Sequence, residues 1–213
     1  MTLSHPSSIT ASAMSSETSA NPRRAALDVL LSRQSRWPLV DPAPRDEDLD
    51  VIFDCALRAP DHGRLRPWRF VVVRGDARAE LGEVMVELAC QREPATPREE
   101  QAWRRERAFA APVIVVLGAS VEARPGIPAT EQLLSVAAAA MNMLNAAHAL
   151  GYGAFWVTGP DTYDRDLHAA LDFEPDEQVV GFLLIGSTAQ PAEPVERPRR
   201  DAHVREWLGR ASF

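Results

Sequence analysis

From residue 130 to residue 150 the chain is dense in small apolar side chains, Ala137 to Ala140 and Ala146, Ala147 and Ala149, and its few polar groups gather on no single face. A helix that is apolar nearly all round has to be buried nearly all round. In a chain of 213 residues, about one domain's worth, a subunit interface is an easy way to achieve that. The same stretch comes nearest to a membrane span, but Asn142, Asn145 and His148 interrupt it, and no apolar run reaches the ~20 residues a bilayer needs. Gly151 marks its end as a helix C-cap.

Order is predicted to begin at Asn21-Pro22, an N-cap residue followed by proline at the first helical position. Ala26, Leu27, Leu30 and Leu31 then share a face. A second helix carries Leu49, Ile52, Phe53 and Leu57, and a third, capped by Asp76, carries Leu81, Val84, Met85 and Leu88. Thr96, Pro97 and Glu99 read as a capping box opening a charged, solvated helix over about 97–109. Four short apolar runs read as buried strands: Phe70–Val73, Val113–Leu117, Ala154–Val157 and Val179–Ile185. Strands of this kind separated by helices suggest a parallel, doubly wound sheet. Residues 1–20, rich in Ser, Thr and Ala, read as a disordered tail without the basic start and apolar centre of a signal peptide.

Composition removes several function classes. Thirty acids against 23 bases leave a net charge of −7, which argues against a non-specific nucleic-acid binder. Every one of those bases is arginine, which excludes Schiff-base chemistry and a phosphate-loop lysine. No GxGxxG follows the first strand, so a nucleotide would need another cradle. The five histidines have no metal-ligand spacing, and Ser35 has no GxSxG context. Cys55 and Cys90, far apart, read as reduced, mostly buried thiols, in keeping with a cytoplasmic setting.

Three segments carry chemistry. Arg58-Ala59-Pro60-Asp61-His62 leads through Pro67-Trp68-Arg69-Phe70 into a strand, presenting an arginine, an acid–histidine pair and a tryptophan on a loop stiffened by two prolines. The alternative for this segment is a capping loop with a packed tryptophan. Arg33-Gln34-Ser35-Arg36, at the end of the first helix, offers guanidiniums and hydroxyls to a phosphate, or simply caps that helix. Gly151-Tyr152-Gly153-Ala154-Phe155-Trp156-Val157-Thr158 runs from a turn along a strand to its exposed end.

Taken together with Val180-Gly181-Phe182-Leu183, these motifs resemble, in order over residues 24–188, the FMN-dependent nitroreductase family, in its small NAD(P)H nitroreductase subgroup. The resemblance implies an α+β fold with a mixed, mainly antiparallel sheet flanked by helices, which overrides the parallel expectation. It implies one FMN-binding domain over 21–213 and an intertwined homodimer with FMN at the interface. Arg33, Gln34 and Ser35 of one subunit would bind phosphate and ribityl oxygens. Arg58 and His62 would reach the same flavin from the other subunit. Trp156, Val157 and Thr158 would line it largely by backbone, and Arg197 would add a phosphate contact. Chemistry would be carried by FMN rather than by a protein side chain: hydride from NADH or NADPH to flavin N5, then to a nitroaromatic, quinone or similar acceptor, in ping-pong order. A cation near the reduced flavin would be Arg58 or, second, Arg36. His62 would serve as a hydrogen-bond donor at the flavin edge or as a general acid beside Asp61. The rival readings are a flavin-storing or redox-sensing protein with little turnover, a related flavin enzyme with other chemistry, and a non-flavin structural protein. The chain departs from its subgroup at Arg66, where glutamine is expected, and from larger relatives at Trp37, where a basic residue is expected.

Overall fold

The computed structural model describes residues 21–209, in two units, one ending at Ser32 and one starting at Arg33. The tail expected at 1–20 lies outside the described residues. In the first unit α1 (Pro22–Ser32) starts as the Asn-Pro pair predicts, with Asn21 Oδ1 accepting the Arg23 N–H at 3.0 Å. Its stripe residues Leu27, Leu30 and Leu31 are exposed.

The second unit runs β1 (Leu39–Val40), α2 (Asp46–Ala56), β2 (Trp68–Arg74), α3 (Ala77–Arg92), α4 (Trp103–Ala108), β3 (Val113–Ser120), α5 (Ala129–Ala149), β4 (Gly153–Val157), α6 (Arg165–Ala170) and β5 (Glu177–Thr188). The four predicted strands are present, most a few residues longer than expected. β5 is the centre: it pairs with β3 on one side, β3 pairs with β2, and β4 and β1 share the other side of β5. Every pairing between these strands is antiparallel, so the α+β expectation holds and the doubly wound one does not. The apolar runs misled on direction because both faces of this antiparallel sheet are covered. Val113, Val115, Leu117, Leu183 and Ile185 face α2 and α5, while Ile114, Val116, Phe182 and Leu184 face the side of α3 and α6.

The charged helix expected at 97–109 is a 3-10 turn at Arg98–Gln101 followed by α4, and no side-chain cap opens the turn. Thr96 Oγ1 instead donates to Glu93 Oε2 at 3.4 Å. The face is not wholly solvated either, because Arg104 is buried and turns inward to Asp161, its Nε 3.4 Å from Oδ1. Asp76 makes no side-chain cap for α3. Cys55 and Cys90 are free and half-buried. Among the described residues no helix is long and apolar enough to cross a membrane.

One polar clamp fixes α2 against the turn entering β4. Asp48, buried, accepts from Arg45 Nε at 2.9 Å and Nη2 at 3.1 Å, and from Tyr152 Oη at 2.7 Å. The Arg45 hydrogen bond first, then that of Tyr152, hold its carboxyl below the ordinary value of 3.8. A carboxyl whose folded pKa is depressed contributes stability above its unfolded pKa and loses it as pH falls through the folded one. Asp48→Asn is therefore expected to lower the melting temperature at pH 6–7, with the wild-type and variant curves converging as the pH falls below the ordinary carboxylate range. Thermal melts across that range check it; a constant gap at all pH would contradict the assignment.

Candidate functional site

Residues Arg33 to Arg36 leave α1 and run along the free side of β4, where the Arg36 N–H donates to Ala154 O at 3.1 Å. Glycine makes this possible: a Cβ at Gly153 would come within 2.6 Å of Leu39 Cδ2 and Thr188 Cγ2, and 3.0 Å from Arg36 Cβ. The preceding Gly151, at φ +89°, ends α5 in the left-handed region as predicted. The C-terminal stretch is stapled across the same segment. Gln34 Nε2 donates to Glu193 O at 3.0 Å, Arg197 Nη2 to Arg33 O at 2.8 Å, and the Arg36 guanidinium to Gln190 O. Arg33, Gln34, Arg36 and Arg197 therefore converge, with Ser35 exposed between them.

His148, in the last turn of α5, belongs to this cluster. Burial, then the charges of Arg33 and Arg36, hold its pKa below the ordinary 6.5. Among the described residues no carboxylate is ion-paired to Arg33, Arg36 or Arg197. Three guanidiniums without an acid, beside a histidine kept neutral, suit a phosphate group. His148 escaped the sequence reading because it stood among helix-core residues; its position in the last turn was the available signal.

β4 presents two faces. Trp156 packs toward α5, and its buried Nε1–H has no partner among the described residues. Phe155 and Val157 face the other side and, with Thr158 just beyond the strand, border an apolar cavity of about 480 Å3.

The second predicted cluster lies elsewhere. Arg58 follows α2, exposed, and Asp61 does not serve His62: its carboxylate accepts the backbone N–H groups of Leu65 at 3.2 Å and Arg66 at 2.8 Å. That grip holds Arg64 and Arg66 at φ +55° and +52°. The acid that meets His62 is Glu131, in the first turn of α5, with Oε2 2.6 Å from Nδ1. Ile127 packs where a Cβ at Gly63 would sit, so the loop before α5 braces the histidine turn.

The separation of the two clusters follows from α5. Glu131 marks its beginning and His148 its end, so at ~1.5 Å per residue the Arg58–His62 cluster and the Arg33 cluster are roughly 25 Å apart along the helix. Arg33 and its neighbours thus lie by the end of α5 and His62 by its beginning, and one chain does not join them.

Residues 30–187 match the sequence profile of the Nitroreductase family. The chain belongs to the nitroreductase family. Within it, the chain is 34% identical over 164 residues to the Escherichia coli K12 protein named "Putative NAD(P)H nitroreductase YdjA", covering 76% of this chain and 87% of the relative. Among solved structures, a nitroreductase-like family protein of Bacillus cereus superposes with a TM-score of 0.74 at 22% identity, over 86% of this chain and 96% of the other. A nitroreductase with bound FMN from Bacteroides fragilis superposes with a TM-score of 0.63 at 20% identity, over 84% and 97%. The family's fold is thus the one built here around β5.

Proposed function

We propose that this nitroreductase is an FMN-dependent oxidoreductase, working as a homodimer, that moves hydride from NADH or NADPH to a nitroaromatic, quinone or similar small acceptor. The observation that carries the reading is the split of the family's motif residues between opposite ends of α5. Two copies packed with their α5 helices antiparallel would bring Arg58 and His62 of one chain to Arg33 of the other. The face of α5 away from the sheet supports that packing: Leu134 is 62% exposed and Met141 40% exposed, one side of the small-residue helix left uncovered. Residues 21–213 then form a single FMN-binding domain, and the free cysteines favour a cytoplasmic setting.

Bound FMN would supply the two-electron hydride chemistry, accepting from a nicotinamide and releasing to the acceptor in ping-pong order. Arg33, Ser35 and Arg197 would hold its phosphate, and Gln34, whose amide nitrogen already grips Glu193, has a carbonyl oxygen for a ribityl hydroxyl. Trp156, Val157 and Thr158 would line the ring system. Arg58 and His62 of the second copy would donate to its polar edge, with Glu131 accepting from His62 Nδ1–H and so orienting Nε2. The Arg58 guanidinium, which has no ion pair among the described residues, would there stabilise charge that builds on reduction. Arg58→Ala is expected to lower the flavin potential and weaken FMN binding; an unchanged potential and affinity would remove Arg58 from that role.

Burial lowers the His148 pKa most, and a phosphate between Arg33 and Arg36 would offset the smaller part that their charges add. FMN binding is thus expected to take up protons, and to tighten as pH falls below about 6.5, more in the wild type than in His148→Gln. Calorimetry in buffers of different ionisation enthalpy reads the difference; equal proton uptake by both proteins would exclude His148. The reading as a whole is tested by the visible spectrum of the purified protein and by steady-state oxidation of NADH and NADPH with a nitroaromatic and a quinone. A colourless protein that ignores added FMN would contradict it, and a yellow protein with no turnover would favour flavin storage or sensing.

A further inference from the structure

We infer that the electron donor is NADPH rather than NADH, and that Arg64 and Arg66 are the specificity-determining residues that take its 2′-phosphate. The inference deepens the flavin reading and rests on it. Its starting point is backbone strain. Among the described residues, three that are not glycine hold φ in the left-handed region, and two of them, Arg64 at +55° and Arg66 at +52°, stand in the turn that follows His62. That region is costly for an arginine, so its surroundings must hold it there, and outliers of this kind cluster where ligands are clamped. Here the hold comes from both sides of the Arg66 backbone. Asp61 Oδ2 accepts its N–H at 2.8 Å, and Arg69 Nη1 donates to its carbonyl oxygen at 3.0 Å. Arg69 is itself anchored: its Nε lies 2.9 Å from Oε1 of buried Glu177 at the start of β5, and its Nη1 also donates to Trp68 O at 2.9 Å. The turn is thus tied to the central strand of the sheet.

What this held turn presents is positive charge without a counterion. Asp61 uses both carboxylate oxygens on backbone N–H groups, Glu131 meets His62, and Glu177 meets Arg69. The guanidiniums of Arg64 and Arg66, both exposed, have neither an ion pair nor a hydrogen bond among the described residues. In a chain of net charge −7, two such cations two residues apart single out an anion. A terminal phosphate fits them, with a charge of about −1.5 to −2 at neutral pH and three oxygens to share between two planar forks. The flavin reading leaves one group of this kind unassigned. The FMN phosphate goes to Arg33 at the other end of α5, and the diphosphate is common to NADH and NADPH and carries one charge per phosphorus. The 2′-phosphate of NADPH is the terminal phosphate that remains, and arginine accommodates that group in dinucleotide sites. Arg58 and His62 would stand at the flavin's polar edge, with Arg64 and Arg66 beyond them on the same loop. Glutamine is expected at position 66 in the subgroup, so the second cation is this chain's own.

The test uses the full chain saturated with FMN. Its kcat/KM for NADPH is expected to exceed that for NADH by about tenfold or more, the worth of charged hydrogen bonds to one phosphate. Arg66→Gln, and Arg64→Asn because asparagine tolerates the left-handed region, should each bring the ratio of the two values toward one. Arg66→Lys, which keeps the charge, should retain part of the preference. Binding is read separately by calorimetric titration with adenosine 2′-monophosphate and with adenosine. The phosphate is expected to tighten binding about tenfold or more in the wild type and far less in Arg66→Gln. A merely structural role for the turn would weaken both donors and both nucleosides alike and would overturn the inference. So would a wild type that uses NADH as well as NADPH, or a ratio that survives both substitutions. Should a variant fail to fold, the wild-type comparisons of the two donors and of the two nucleosides decide. A flavin-loaded protein with no donor preference overturns this inference alone, whereas a protein that takes up no FMN overturns the flavin reading with it.

Discussion

Alanine at position 181 is expected to destabilise the fold by about 2–5 kcal/mol, the sum of overpacking and of a backbone conformation that side chains rarely adopt. Gly181 lies in the middle of β5 at φ +148°, next to the bulge where the β3–β5 register shifts at Leu117 and Gly118. A Cβ there would press into Trp156 Nε1 and lie 2.9 Å from Val157 O. The obstacles are a neighbouring strand and a packed indole, which cannot swing away as the tip of an exposed side chain would. The melting temperature should fall by roughly 10 °C for a domain this size. A shift of a degree or less would mean that β4 and β5 are not in the described contact. Because Trp156 and Val157 belong to the proposed flavin wall, any folded Gly181→Ala should also bind FMN more weakly.

Arg33→Ala is expected to weaken FMN binding by about 10–100-fold, the worth of a charge-assisted hydrogen bond at 1.5–3 kcal/mol. Arg33 is half-buried, its backbone carbonyl is held by Arg197, and its charge is felt at His148. The guanidinium has no acid to release among the described residues, so its removal should subtract directly from phosphate binding. Fluorescence titration of the apoprotein with FMN reads the change, and riboflavin, which lacks the phosphate, should lose little affinity. Equal losses for FMN and riboflavin would show that the variant damaged the cradle as a whole.

The strands were legible because their apolar runs are continuous, and α5 because it is long and bounded by Pro128 and Gly151. β1 was not: two residues, Leu39 and Val40, carry no period, and only their pairing with Thr188 and Ser187 makes them a strand. The 97–109 segment was misread because local charge pattern says nothing of Asp161, some 57 positions away, toward which Arg104 turns. In the candidate site the family motifs singled out residues 33–35, 58, 62 and 156–158, while Arg197 stood outside them, in a C-terminal stretch without a clean match. Their partners were long-range facts. Asp61 stands next to His62 in sequence yet grips Leu65 and Arg66, whereas Glu131 meets it in space. The distance between the two clusters became visible only with α5 lying between them.

The central claim is that a complete flavin site needs Arg33 from one chain and Arg58 from another, and mixed dimers measure it directly. Arg33→Ala and Arg58→Ala chains are co-expressed with different tags, and the doubly tagged species is purified and titrated with FMN. One site of such a dimer would keep both arginines and the other would lose both. The account predicts one FMN per mixed dimer at wild-type affinity, against weak binding by either variant alone. Mixed dimers that bind as weakly as both parents, or a wild type that binds FMN tightly as a monomer, would contradict it.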